Sequence, residues 1–174
     1  MKSLKHFRAV DIVTAVLAIL FVIALSISLI RNRPSSNHPK VRAAIKAVIA
    51  AIKNYEGVYG ALPCKDNSLE RFGDANPEEY DKLMELLTGI EGPDKDNEVT
   101  KNSRQINFLY TFENYKTEGW VDEWKSRFNI LLNSRNKQDV KIGSKTMLGS
   151  IFVYSSGPNR KDENGEGDDV APWK

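Results

Sequence analysis

Nineteen consecutive residues without a charge, Ile12 to Ile30 (IVTAVLAILFVIALSISLI), set the first limit on this chain. At about 1.5 Å of rise per residue, a helix of that length nearly crosses a hydrocarbon core of roughly 30 Å. Lys2, Lys5 and Arg8 precede the run, and Arg31 and Arg33 follow it. A cleaved secretory signal has a shorter apolar core, about 7–15 residues, then a small-residue cleavage site. Here the run ends at Arg31-Asn32-Arg33 with no such site, so the sequence predicts an uncleaved membrane anchor. Positive charge on both flanks leaves the orientation open by charge alone. The expected organisation is a basic leader-like segment over 1–8, a transmembrane helix over 9–31, a polar, proline-containing break over 32–39 and a globular domain over 40–174.

Apolar residues are spread unevenly: 16 of the 19 in that run are apolar, so the rest of the chain is more polar than the overall 41% implies. The net charge is only +2, the lysines are scattered, and some stand beside acids, as in Tyr80-Asp81-Lys82 and Asp94-Lys95-Asp96. This reads as a solvated surface rather than a nucleic-acid groove, which needs clustered base. Cys64 is the single cysteine, so no internal disulfide forms, and it reads as a small apolar filler. His6 and His38 both flank the anchor. The globular part therefore lacks a Ser-His-Asp or Cys-His site and most histidine-based zinc sites. No convincing carboxylate pair points to a hydrolase, so the expectation is a non-enzyme.

Asp11 sits at the mouth of the apolar run, where a carboxylate costs roughly 2.5–3.5 kcal/mol at the bilayer centre and less near the interface. Two readings stand: an acid that snorkels to water, or one that pairs with a positive charge from a neighbouring subunit.

Pro34 and Pro39 interrupt any helix that leaves the anchor. A helix is then predicted from Lys40 to Tyr55. Val41, Ile45, Val48, Ile52, Tyr55 and Tyr59 fall in steps of four and three along one face, the pattern of a helix packed on a core. Gly57 and Gly60 are expected to stop it. A second helix is predicted over Pro77 to Leu87, with Asn76 as cap and Pro77 in its first turn. Residues 89–105 are polar and turn-rich and read as a loop. Ile106–Tyr110, Arg127–Leu132 and Ser150–Ser155 are β-prone, with one more short strand around Val140-Lys141-Ile142. Helices first and strands after predict an α+β fold: an amphipathic helix packed on a small antiparallel sheet.

The tail from Val153 to Trp173 mixes oxygen donors and glycines. Hard cations take 6–8 oxygen ligands at flexible spacing. Asn159, Asp162, Asn164, Glu166, Asp168 and Asp169 are such donors, and Gly157, Gly165 and Gly167 permit the turns between them. The loop is not an EF-hand, lacking its Asp-x-Asp-x-Asp-Gly start. A solvated acidic terminus that holds no ion is the other reading.

Several pieces, in order, resemble the type IV pilin-like proteins, in particular the major pseudopilins of type II secretion. His6-Phe7-Arg8-Ala9-Val10-Asp11-Ile12 looks like a prepilin processing motif. Phe7 aligns with the first mature residue, Asp11 with the acid at the fifth, and His6 with the usual glycine. Tyr55-Glu56-Gly57-Val58-Tyr59-Gly60-Ala61-Leu62-Pro63 is similar to the family's helix exit. Trp120 to Phe128 resembles its Asp-Pro-Trp-Gly signature, keeping Asp122, Trp124 and Phe128, with Glu123 and Lys125 in place of proline and glycine. Tyr154-Ser155-Ser156-Gly157-Pro158-Asn159, Asp168-Asp169 and Trp173 are similar to its calcium-holding terminus.

The resemblance implies a structural role in protein secretion. The chain would be anchored once in a bacterial inner membrane, with its domain in the periplasm, and would pack with itself, with other pseudopilins and with an inner-membrane assembly platform. Phe7 and Asp11 would serve assembly. Calcium would be held by the Ser156 carbonyl, Asn159, Asp168 and Asp169. His6 and the Pro34/Pro39 break favour an alternative, a membrane-anchored periplasmic binding module that keeps the fold without polymerising.

Overall fold

The computed structural model describes residues 16–21, 38–90, 102–110, 119–135 and 138–174. The chain divides into two units, Met1–Pro34 and Ser35–Lys174. In the first, residues 16–21 are helical, and Val16, Leu17, Ile19, Leu20 and Phe21 are exposed. Phe7, Asp11 and most of the apolar run lie outside the described residues. Among the described residues no helix is long and apolar enough to cross a membrane.

The second unit is α+β, as its sequence predicts. Its first helix, α1 (Pro39–Tyr59), buries Val41, Ile45, Val48, Ala51, Ile52 and Tyr55, the face that the periodicity picks out. Pro39 fits the first turn because the N–H it lacks has no partner there in any helix. The helix runs one turn beyond the predicted end. It passes through Gly57 and stops at Gly60, whose φ of 77° is left-handed and whose N–H donates to the Glu56 carbonyl. That extra turn carries Tyr59 to Asn102. Tertiary contact thus outweighs the roughly 1 kcal/mol that a mid-helix glycine costs.

Strand β1 (Leu69–Phe72) follows, then helix α2 (Pro77–Thr88), then β2 (Asn129–Asn133), β3 (Val140–Ile142), β4 (Lys145–Met147) and β5 (Ile151–Tyr154). Three strands form one antiparallel sheet in the order β1-β2-β5. Phe72 pairs with Ile130, and Ile130 with Val153. β3 and β4 form a separate hairpin.

Strand β2 (NILLN) explains the layering. Alternate side chains leave opposite faces of a strand. Ile130 and Leu132 enter the core with Val41, Ile45, Val48, Ile52, Tyr80, Leu87, Phe128 and Val153. Leu131 points the other way, into a second cluster with Val140, Ile142, Phe152, Tyr154 and Ala171. The helices therefore cover one face, while the hairpin and the chain's tail cover the other. A strand covered on both faces has to be apolar at successive positions, which is how β2 and β5 read.

Two expectations are corrected, and one strand is added. Ile106–Tyr110 is not a strand; the Phe108 N–H donates to the Leu87 carbonyl at the end of α2 instead. β1, which supplies a sheet edge, carries no strand signal of its own, because Leu-Glu-Arg-Phe has too little apolar content. Asn76 stands at the N-cap position of α2 with Pro77 after it, but its side chain makes no capping bond; its amide donates to the Arg71 carbonyl.

Candidate metal site in the terminal loop

The segment after β5 is clipped at its base. Ser155 N–H donates to the Val170 carbonyl and Val170 N–H donates back to the Ser155 carbonyl, at 3.1 and 2.9 Å. Inside this clip the chain turns at Gly157, whose φ is 65° and whose added Cβ would collide with the Asp168 carbonyl. The two arms of the loop therefore touch backbone to backbone at a point where only hydrogen fits.

Asp169 is 1% exposed. Its Oδ2 accepts the N–H of Gly165 at 2.7 Å and of Glu163 at 3.1 Å. Its Oδ1 is buried with no hydrogen-bond partner among the described residues. Burial without enough compensation pushes the Asp169 carboxyl up to about 7, and the neighbouring charges of Asp162 and Glu163 add to the rise. Glu163 Oε2 accepts the Asp168 N–H at 3.0 Å. Carboxylate oxygens of Glu163, Asp168 and Asp169 lie within 4.8 Å of one another. Oxygens on opposite sides of a calcium ion stand about 5 Å apart, twice the 2.3–2.6 Å ligand distance. The cluster could therefore hold a metal ion. An all-oxygen donor set with one buried, unpartnered oxygen suits a hard cation.

Of the residues singled out from sequence, Asp168 and Asp169 come together. Asn159 joins them through its nitrogens: its N–H donates to Asp168 Oδ2 at 3.0 Å and its amide donates to Asp168 Oδ1. The Asn159 side-chain oxygen instead accepts the Lys161 N–H at 2.6 Å. Ser156 is buried, with its hydroxyl accepting from Asn129 at 2.9 Å. Asp162 is taken up by the Tyr154 hydroxyl and the Asn164 N–H, both at 2.8 Å, and Glu166 by the Ser144 N–H at 2.6 Å. Glu163 was missed. It lies beside Asn164-Gly165 with no spacing signal, and only the turn that brings its N–H to Asp169 places it.

A second constellation holds the loop to the body. The segment Val121–Arg127 is a tight turn bridged across its ends. Asp122, buried inside it, accepts the N–H groups of Trp124 and Ser126 through Oδ1 and the Ser155 hydroxyl through Oδ2. Arg160, in the terminal loop, donates from Nε to the Trp124 carbonyl. His38 meets the Trp124 ring edge-on, with centroids 4.6 Å apart, and its Nδ1 lies 2.7 Å from Glu123. Trp124 thus joins the entry of α1 to the terminal loop.

No protein-family model, no curated protein and no solved structure matches the chain.

Proposed function

We propose that this chain is a pseudopilin-like filament subunit of a type II secretion or type IV pilus-like system. The apolar run would be its inner-membrane anchor and its packing surface in the filament core, and the α+β unit its periplasmic head. One observation carries the reading: a helix lies on one face of a three-stranded antiparallel sheet, and a clipped terminal loop with a buried, unpartnered carboxylate oxygen covers the other. In this reading the work of the head is mechanical. Its loop resists opening because its base is bonded to β5 and its middle to the Trp124 turn.

Calcium is the cation we assign to Glu163, Asp168 and Asp169. When bound it supplies charge that offsets the mutual repulsion of the three carboxylates and saturates the Asp169 oxygen. Phe7 would be the first residue after processing and Asp11 the acid that pairs with a neighbouring subunit.

The experiment is co-expression with a prepilin peptidase, followed by mass spectrometry of the N-terminus. Loss of residues 1–6 supports the reading. An intact N-terminus supports the second one, an anchored module that does not polymerise, which His6 in the glycine position favours.

A further inference from the structure

Lys174 reaches back over the terminal loop. Its Nζ donates to the carbonyls of Glu166 at 2.9 Å, Gly167 at 2.9 Å and Asp169 at 2.7 Å. An ammonium has three donors and no acceptor, so all of its hydrogen-bonding capacity is spent on one turn. Three convergent carbonyl oxygens are what a hard cation seeks, and here a side chain has taken them. That turn also carries Asp168 and Asp169. The ammonium interacts with Asp169, Glu163 and Asp168, and those attractions oppose the loss of charge that its burial favours. These are the same three carboxylates that cluster within 4.8 Å of one another.

Two cations in one small loop repel each other, and oxygens bonded to the first are less free to turn to the second. We propose that Lys174 is a tethered cation that holds the terminal loop closed without metal and competes with a divalent ion for it. The inference rests on the reading of Glu163, Asp168 and Asp169 as a cation site. It adds that the site is tuned weak: the loop keeps its shape at low calcium, and a divalent ion has to work against the lysine. Lys174 is a positioning residue that acts through the turn.

The test is calcium titration by calorimetry on the full chain in detergent micelles, with melting in chelator alongside. Lys174→Met removes the charge and keeps the apolar stem; Lys174→Gln keeps donors without charge; Lys174→Arg keeps the charge. The expected result is at least tenfold tighter calcium binding for Lys174→Met and Lys174→Gln, with lower melting temperatures in chelator. Lys174→Arg should stay within about threefold of wild type. Equal or weaker binding in both neutral variants overturns the competition and leaves the cation site standing. The absence of calcium heat from wild type and both neutral variants overturns the cation site, and the competition with it.

Discussion

The Ser155 hydroxyl donates to Asp122 Oδ2 at 2.6 Å, and both residues are buried. This bond joins the Trp124 turn to the base of the terminal loop. The same Ser155 oxygen accepts the Gly157 N–H at 3.1 Å, so one hydroxyl ties the distant Asp122 to the first turn of the terminal loop. Burial raises the Asp122 carboxyl above its ordinary range, and the bonds from Ser155, Ser126 and Trp124 oppose that rise.

Ser155→Ala leaves a buried acceptor on Asp122 and a buried donor on Gly157. Each unsatisfied group costs about 1–3 kcal/mol. The expected outcome is a loss of about 2–4 kcal/mol in chemical denaturation, with a larger loss for Asp122→Ala, which strands three donors. A double-mutant cycle should show non-additive coupling between the two.

Lys125 holds φ at 67°, in the left-handed region, where the resembled signature carries glycine. That conformation costs a residue with a Cβ roughly 1–2 kcal/mol. Lys125→Gly should therefore raise the melting temperature despite the looser unfolded chain, by the equivalent of about 0.5–1 kcal/mol. Lys125→Val should lower it.

Gly157→Ala meets both a left-handed φ and the Asp168 backbone. Gly60, also left-handed, has open space where a Cβ would go. Alanine at 60 should cost about 1 kcal/mol, from strain alone. Alanine at 157 should cost clearly more, because the loop's two arms must separate. The separation should also loosen Trp173 from Tyr154 and Phe152, whose rings lie 5.7 and 6.2 Å from it, and shift its fluorescence to the red.

Asp169 sets a pH dependence. Its folded carboxyl titrates at about 7, above its unfolded value, so the native state binds the extra proton between the two. The stability this contributes is full below about pH 4 and is lost as pH rises through 7 in chelator. Asp169→Asn should flatten that slope. Calcium requires the ionised form, so the calcium-induced rise in melting temperature should grow between pH 6 and 8, a window of about one unit either side, and vanish in Asp168→Ala.

The large pieces of the α+β unit were readable because they follow periods. The face of α1 repeats in threes and fours, and β2 and β5 are short apolar runs. The unreadable pieces are those fixed by distant partners. Asn102 lies in a stretch that reads as polar loop, yet it is fully buried. Its amide donates to the Leu86 and Ile106 carbonyls, and its oxygen accepts from Tyr59 and Ile106. Nothing local announces that role. In the same way the tail's oxygen content marked a candidate cation loop, but which oxygens converge depends on turns at Gly157 and Gly165. Those turns chose Glu163 over Asp162 and Glu166.

The filament proposal turns on self-association through the apolar run, residues 12–30. The deciding measurement is in-membrane crosslinking of the full chain, co-expressed with a filament-assembly platform, comparing wild type with Asp11→Ala. A filament subunit should give a ladder of self-crosslinked products for wild type, and insertion without a ladder for Asp11→Ala. A monomeric wild type, or an unchanged ladder when the carboxylate is gone, would contradict it.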